Sequence, residues 1–407
     1  MKGAKNKKCS INGDTANCGN TNSAGIMSDT SETMFHNPNK INDIGKNSDI
    51  SGDSNKTRDN GKPLGSIFHA SDDKTHERQT VLFKRAPRIV GRYSVVGPKE
   101  GRGAFSKYFD KILAEDLFKQ KSYEKAERLI LAMAVENAIK KANLVPSDID
   151  MLLSGDLLNQ ITSSSFAAAK FDTTYLGLFG ACSTMTESLA IGAVLIDGGY
   201  LSNVACATGS HFSTVERQFR YPLELGTQRP PTSQWTVTGA GCSVLSAKGN
   251  GAKITSATFG KVVDYGITDA NNMGAAMAPA AMATIEAHFN DMHAMPDDYD
   301  LIVTGDLGKL GSEILIDLLE HRGIKLGNNY CDCGQMIYTK DQKVFQGGSG
   351  PACSAVVLNS YILDRLEKHD LNKVLFVATG ALLSPTSAQQ GDTIPCIAHA
   401  IVVERGK

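Results

Sequence analysis

The stretch Gly180-Ala181-Cys182-Ser183-Thr184 lies between a short extended run, residues 175–179, and an apolar helical run, residues 185–196. The helical run stops at residues 197–199, Asp-Gly-Gly, a common helix end. Cys182 is therefore predicted at the N-terminus of a buried helix, directly after a strand. The unpaired N–H groups and the helix dipole favour a thiolate there. The same geometry can also bind an anionic ligand without any chemistry.

Composition limits the classes of function. The 407-residue chain has a net charge of −1, so no bulk attraction to nucleic acid or an acidic membrane is expected. Its nine cysteines are scattered, an odd count that favours a reducing compartment over a disulfide framework. The close pair Cys331 and Cys333 lacks a second pair at zinc spacing, so no metal site is predicted. No run is apolar enough to span a bilayer, and the basic N-terminus lacks an apolar signal segment, so synthesis in the cytoplasm without a signal peptide is expected.

The chain divides into three regions. Residues 1–79 are rich in Asn, Ser, Asp, Lys and Gly and are predicted to be disordered, because their isolated apolar residues cannot offset the ordering entropy. Residues 80–250 and 251–407 are expected to form two α/β halves. In the first half, Ser122 is expected to cap a helix, and residues 149–154 and 203–209 are expected to be buried strands.

The second half repeats the first. Residues 150–157, DMLLSGDL, are matched by residues 300–307, DLIVTGDL, and the strand end 207–209, ATG, is matched by residues 378–380. The second match also places a late helix, beginning near Cys353, opposite the Cys182 helix. Two collinear matches indicate a duplicated α/β fold with shared central helices.

Ligands in such a fold bind at the carboxyl ends of strands, where loops of both halves meet. The loops expected to converge there are 155–160, 180–184, 208–211, 305–308 and 347–350. Residues 346–350, QGGSG, form a Gly-rich turn before the late helix and can offer backbone N–H groups to an anion. Glycines that let two buried helices approach closely are the alternative interpretation.

These residues carry a resemblance. A cysteine in Ala-Cys-Ser-Thr, at the start of a central helix of a duplicated α/β chain, resembles the thiolase and ketoacyl-synthase superfamily. Within it, the chain is similar to the stage V sporulation protein AD family of spore-forming bacteria over residues 80–407. The strings that carry this similarity include GDLLNQ (155–160), LFGACST (178–184), LIDGG (195–199), ERQFRYP (216–222), MAPAA (277–281), PDDYDL (296–301), MIYT (336–339), GGSG (347–350) and IPCIAH (394–399).

The resemblance implies a thiolase-like five-layer α-β-α-β-α fold and a homodimer. It also implies a protein that binds dipicolinic acid, or its calcium chelate, during uptake into the developing spore. The implied partners are other subunits of a membrane channel complex, and the implied location is the spore, peripheral to the inner forespore membrane. Dipicolinate is a planar dianion, so its pocket needs N–H donors or cations for two carboxylates and a flat wall for the ring. The polar tail departs from the family, whose proteins usually start close to the first strand.

Condensing enzymes of this superfamily need a His and an Asn, or two His, beside the cysteine. The resemblance places those positions at Asp306 and at the pair Gly348 and Ser349, which cannot supply the donor role of an imidazole. Because each lost oxyanion donor costs about 10²–10³ in rate, we expect no acyl condensation and no cofactor. Cys182 then remains as a vestigial nucleophile.

Several candidate residues keep two interpretations. Cys182 forms a wall of the ligand pocket or is a small buried residue inherited from the scaffold. Asp156 and Asp306 bridge to a Ca²⁺ chelate or cap the turns that follow them. His211 and His399 contact the ligand or are hydrogen-bonded core residues. The candidate ligand-binding set is Asp156, Asn159, Cys182, His211, Asp306, Gly348 and Ser349.

Two further features and two further hypotheses remain open. Arg217 and Arg220 clamp carboxylates, or belong to a subunit contact or a solvated face. Trp235 is interpreted as loop packing. The alternative functions are a thiolase or ketoacyl-synthase III-type acyltransferase with Cys182 as nucleophile, and a structural subunit of a membrane complex that binds no small molecule.

Overall fold

The computed structural model describes residues 76–77, 79–220 and 222–406. The predicted disorder of residues 1–79 lies outside this part of the chain, except for residues 76–77 and 79. The strands are β1 (His76–Glu77), β2 (Thr80–Leu82), β3 (Arg88–Val96), β4 (Lys111–Ile112), β5 (Met151–Gly155), β6 (Thr174–Gly177), β7 (Asn203–Ser210), β8 (Trp235–Thr236), β9 (Gly239–Ser246), β10 (Lys253–Thr258), β11 (Leu301–Thr304), β12 (Tyr330–Asp332), β13 (Gly348–Ser349), β14 (Lys373–Ala381) and β15 (Cys396–Glu404). The helices are α1 (Tyr123–Lys141), α2 (Thr162–Ala168), α3 (Thr184–Asp197), α4 (Phe212–Phe219), α5 (Met273–Met292), α6 (Gly308–His321), α7 (Cys333–Ile337), α8 (Pro351–Val357), α9 (Leu363–Glu367) and α10 (Pro385–Gln389).

Ten strands follow one path, in the order β12-β11-β14-β15-β10-β3-β9-β7-β5-β6. From the centre outward, each half has two antiparallel pairings followed by two parallel ones: β3-β9-β7-β5-β6 in the first half and β10-β15-β14-β11-β12 in the second. The halves meet at β10 and β3 through one registered pair, Lys253 with Arg88. This identical order confirms the predicted duplication, while the boundary at residues 250–251 stays a prediction.

The helices complete five layers. Helix α1 packs on β3, β9 and β7, and α5 packs on β14, β15 and α6, so each half has an outer helical face. Helices α3 and α8 lie between the halves, because α3 contacts β7 of the first half and both β14 and β15 of the second. Helix α8 continues through a π-helical turn, Leu358–Ile362, into α9. The α-β-α-β-α layering predicted from the resemblance is confirmed.

Local signals in the sequence explain the elements that carry the site. The Ser122 hydroxyl caps α1 by accepting from the Lys125 N–H at 3.4 Å, as predicted. Helix α3 buries Met185, Leu189 and Ala193, which recur at the four-residue spacing of one helix face. Among the helices that the structure describes, none combines the length and the apolar character needed to cross a bilayer.

A close backbone contact joins the two halves beside Cys182. A Cβ atom placed on Gly380, in β14, would lie 2.0 Å from the carbonyl oxygen of Gly180. No side chain fits in that space, so the turn before Cys182 rests directly on the end of β14. The sequence repeat brings this second-half strand end to the first-half cysteine.

Candidate functional site

Cys182 lies in a short 3-10 turn, Ala181–Ser183, that leads into α3. Ala181 has φ of 50°, the left-handed region that an L-residue with a side chain adopts at a cost of about 1–2 kcal/mol. This conformation turns the chain sharply from the strand into the helix. Cys182 is only 8% exposed as a result, at the helix N-terminus where the sequence placed it.

Asp306 lies against Cys182 from the second half. It follows β11, is fully buried, and accepts hydrogen bonds from the Ser349 hydroxyl at 3.2 Å, the Gly350 N–H at 2.9 Å and the Thr379 hydroxyl at 3.1 Å. The Cys182 thiol lies near enough to this carboxyl group for each to shift the pKa of the other. Burial raises the pKa of Asp306 to about 7.

The same contact decides the protonation of the cysteine. Burial raises the pKa of the Cys182 thiol well above its usual value, and the nearby negative charge of Asp306 raises it further. These effects oppose the helix-dipole effect that favours a thiolate at this position. Cys182 is therefore a protonated thiol at neutral pH.

Three adjoining cavities open from this point. The first, about 40 Å³, is lined by Cys182, Ser349 and Thr236, by Arg220, and otherwise by apolar side chains. The second, about 290 Å³, shares apolar lining residues with the first, including Phe179. The third, about 360 Å³, lies further out and shares Asn159 and two neighbouring residues with the second. Together they form a cleft from Cys182 to the surface.

Arg220 is the cation of the innermost cavity. It follows α4 and its guanidinium is held by Glu216 at 3.0 Å, with both side chains more than nine-tenths buried. Arg217, the other predicted clamp, lines the outer cavity and is paired with Glu124. Of the two arginines, Arg220 is the one positioned to meet a ligand that reaches Cys182.

Other residues of the candidate set are engaged in the fold. Asp156 accepts from the backbone N–H groups of Leu158 at 2.8 Å and Ser164 at 2.6 Å, so it caps the turn after β5. His211 caps α4 by accepting from the Ser213 N–H at 3.1 Å, and its other ring nitrogen lies 3.0 Å from the Asp116 carbonyl oxygen. Asp156 therefore makes the contacts of the turn-capping alternative, and His211 makes those of a hydrogen-bonded core residue.

Of the last two predicted positions, Ser349 lines the innermost cavity and Gly348 directly precedes it. Gly348 and Ser349 form β13, which pairs in parallel with β8 in the register Gly348–Trp235 and Ser349–Thr236. His399 accepts from the Gly260 N–H at 3.2 Å, and burial lowers its pKa to about 4. A ligand-contact role for each residue of the set stays a prediction.

Sequence reasoning missed residues on both sides of the cleft. Thr236, Met273 and Met277 line the innermost cavity. Arg229 carries three guanidinium nitrogens that have no hydrogen-bond partner and no contact with solvent. Met277 lies in one of the strings that carry the resemblance, whereas Arg229 stands alone before two prolines and had no local signal. Among the described residues, no group of three or more His, Cys, Asp or Glu side chains is placed to hold a metal ion.

A duplicated five-layer fold with a cysteine at the N-terminus of a central helix defines a thiolase-like protein. A family model described as stage V sporulation protein AD matches residues 77–404. The chain therefore belongs to the stage V sporulation protein AD family.

Comparisons with individual proteins agree with this family and with the thiolase-like fold. The chain is 50% identical over 328 residues to stage V sporulation protein AD of Bacillus subtilis (strain 168), covering 81% of this chain and 97% of that protein. A crystal structure of a variant of OleA from Xanthomonas campestris matches with a TM-score of 0.52 at 13% identity, covering 79% of this chain and 99% of that chain. A cerulenin-bound OleA matches with a TM-score of 0.51 at 14% identity, covering 80% and 100%. Identities this low show the fold alone.

Proposed function

We propose that this protein binds dipicolinate, alone or as its calcium chelate, in the cleft beside Cys182, and that it acts in dipicolinate uptake into the developing spore. One observation carries the proposal. The cavity in which a condensing enzyme of this superfamily would hold a reactive thiolate holds a protonated thiol here, and its charged wall residue is Arg220. A neutral thiol beside a fixed cation suits the binding of an anion better than acyl transfer.

The cleft matches the chemistry of an aromatic dicarboxylate. Its apolar walls, which include Phe179 and Phe219, suit the faces of a pyridine ring, and Arg220 offers charged N–H donors to a carboxylate. The innermost cavity of about 40 Å³ holds about one water molecule, whereas the adjoining 290 Å³ is close to the usual size of a ligand site. The ligand is therefore expected to span both, with one carboxylate inward.

Loss of acyl condensation is the second part of the proposal. Among the described residues, each histidine near the carboxyl ends of the strands has other hydrogen-bond partners, as seen for His211 and His399. The resemblance implies that Asp306 stands at the position of the imidazole. A carboxylate beside a thiol disfavours the thiolate, which is the opposite of what an acyl-enzyme step needs.

The remaining parts rest on family membership. We propose that the protein is a homodimer, that it is peripheral to the inner forespore membrane, and that it works with other subunits of a membrane channel complex. Retention of a large apolar cleft without activating bases favours binding over a purely structural role, because an unused cleft of this size gives up packing energy.

Calorimetry tests the binding step. The full chain is titrated with pyridine-2,6-dicarboxylate, with and without Ca²⁺, beside the double variant Glu216→Gln/Arg220→Met. The double change keeps the buried charge balanced, because Arg220 and Glu216 pair with each other. Loss of a charge-assisted hydrogen bond of about 1.5–3 kcal/mol predicts binding that is about tenfold or more weaker.

The matched control is Arg322→Met, at the end of α6, where Arg322 makes only a loose surface pair with Glu286 at 3.8 Å. It is expected to bind like the wild type. If the wild type gives no heat at millimolar ligand, the binding proposal is wrong.

Incubation with acetyl coenzyme A, followed by mass spectrometry of the Cys182 peptide, tests the acyltransferase alternative. We expect no acetylation, and turnover of an acetyl group at Cys182 would establish that alternative instead.

A further inference from the structure

Arg229 is a buried cation without an anion. It lies in the segment between α4 and β8, and its Nε, Nη1 and Nη2 atoms are all shielded from solvent without a hydrogen-bond acceptor. A guanidinium has five N–H donors in a fixed planar fork. Removing such a group from water without a partner is costly, so a protein that keeps one is expected to complete it with a ligand.

The charges around Arg229 do not balance. Burial is the largest effect that lowers its pKa, to about 10, and the positive charge of Arg220 lowers it further. Glu216 is the acid that acts on both arginines, and it already holds Arg220 at 3.0 Å. Two cations therefore share one carboxylate, which leaves one positive charge for a carboxylate from outside.

An aromatic frame fixes the orientation of Arg229. The rings of Phe212 and Trp235 stack with centroids 3.9 Å apart and planes 5° from parallel. The Arg229 guanidinium lies 4.9 Å from the Trp235 centroid and 5.5 Å from that of Phe212, and Lys99 lies 4.0 Å from the Trp235 centroid. Cation–π contact holds an arginine in place without using its N–H edges. The fork is therefore preorganised for a planar, bidentate acceptor.

The frame is joined to the Cys182 cavity through one short strand. Trp235 and Thr236 form β8, and Thr236 lines the cavity together with Arg220 and Ser349. Because neighbouring residues of a strand face opposite sides, Trp235 and Arg229 lie behind the wall that Thr236 lines, and Arg220 in that wall is close enough for its charge to act on Arg229.

We propose that Arg229, together with Arg220, forms a carboxylate subsite that receives one carboxylate of an aromatic carboxylate ligand, with Arg229 as its specificity-determining residue. The identity of the ligand as dipicolinate rests on the function proposed above, whereas the carboxylate chemistry of the subsite rests on Arg229 itself. Arg229 supplies the second cation that a dianion needs and that the innermost cavity alone does not offer.

The test uses the only tryptophan of the chain as its reporter. Because Trp235 is in contact with Arg229, its emission, excited at the red edge of its absorption, is expected to change when a carboxylate binds. The full chain is titrated with pyridine-2,6-dicarboxylate, pyridine-2-carboxylate and the neutral pyridine-2,6-dimethanol, with calorimetry in parallel. Both carboxylates are expected to change the emission, and the diol is not.

The variants are Arg229→Met and Arg229→Lys, with Arg322→Met as the matched control. Arg229→Met is expected to weaken carboxylate binding about tenfold or more, and Arg229→Lys less, because the point charge remains without the fork. A purely structural arginine would lower stability when removed. Arg229→Met is instead expected to leave the unfolding temperature of the ligand-free protein unchanged or higher, because the cost of burying an unpaired guanidinium disappears together with its cation–π contacts.

The outcomes separate the two proposals. If dipicolinate binds wild type and Arg229→Met equally, the subsite is wrong and the proposed function stands. If dipicolinate fails to bind but pyridine-2-carboxylate binds through Arg229, the subsite stands and the proposed function is wrong. If neither carboxylate binds the wild type, both are wrong. If Arg229→Met does not fold, a structural role is established and the subsite is rejected unless Arg229→Lys folds and shows the weaker binding.

Discussion

The thiol of Cys182 lies close to the carboxyl group of Asp306, across the contact between the two halves of the chain, and the negative charge of Asp306 raises the pKa of the thiol. The resemblance to condensing enzymes implies a cysteine and an imidazole at these two positions. An imidazole takes the thiol proton and stabilises the thiolate, whereas a carboxylate keeps the proton on sulfur. The proposed loss of acyl condensation rests on this local difference in charge.

Asp306→Asn is expected to make Cys182 more reactive. Removing the neighbouring negative charge lowers the pKa of the thiol, although burial keeps it above its usual value. Alkylation of the Cys182 peptide by iodoacetamide, followed by mass spectrometry across a range of pH, is expected to be about tenfold faster. Ser349→Ala is the control, because it removes a donor to Asp306 and keeps the charge. An unchanged or slower rate in Asp306→Asn would contradict the assignment of the carboxylate.

His288 is expected to make stability depend on pH in a defined window. Its ring bonds to the Thr258 hydroxyl at 2.7 Å and the Tyr299 hydroxyl at 2.7 Å, and burial lowers its pKa to about 4, with Lys373 lowering it further and Asp291 opposing. The unfolded chain binds the proton from pH 6.5 downward and the folded chain only near pH 4. Stability is therefore complete above pH 6.5 and is lost as pH falls from 6.5 to 4.

The measurement compares wild type with His288→Gln in denaturant titrations at pH 7 and pH 4. The wild type is expected to lose about 3 kcal/mol more than the variant on acidification, because glutamine does not titrate. Other acids and histidines contribute equally to both proteins and cancel in this difference. Equal losses in the two proteins would show that His288 is not the titrating group.

Gly380→Ala is expected to disturb both stability and the site. The added methyl group would lie 2.0 Å from the Gly180 carbonyl oxygen, so β14 and the turn before Cys182 must move apart, at a cost of about 1–3 kcal/mol. Thermal unfolding and Cys182 alkylation report the two effects. Gly323→Ala adds the same methyl group where no atom lies within 4 Å, at φ of 77°, and is expected to cost about 1 kcal/mol without changing Cys182. A milder effect at Gly380 than at Gly323 would count against the close contact.

The sequence predicted elements more securely than side-chain roles. Helix α3, the strand before Asp156 and the repeat that ends at Asp306 follow from apolar spacing and from matched strings, which are local properties. His211 shows the limit of this reasoning. Its position after a strand end was correct, yet nothing in the sequence indicates whether an imidazole faces a cavity or caps the helix that it precedes.

The sequence by itself determined the duplicated α/β order, the buried helix that starts at Cys182, and the family, because each depends on periodicity or on contiguous strings. Only the tertiary structure decided what Cys182 touches and that Arg229 has no acceptor. Both depend on contacts between segments far apart in the chain, such as Gly180 on Gly380. Burial at this contact raises the free energy of the charged form of each group, and it therefore raises the pKa of the Cys182 thiol and of the Asp306 carboxyl group.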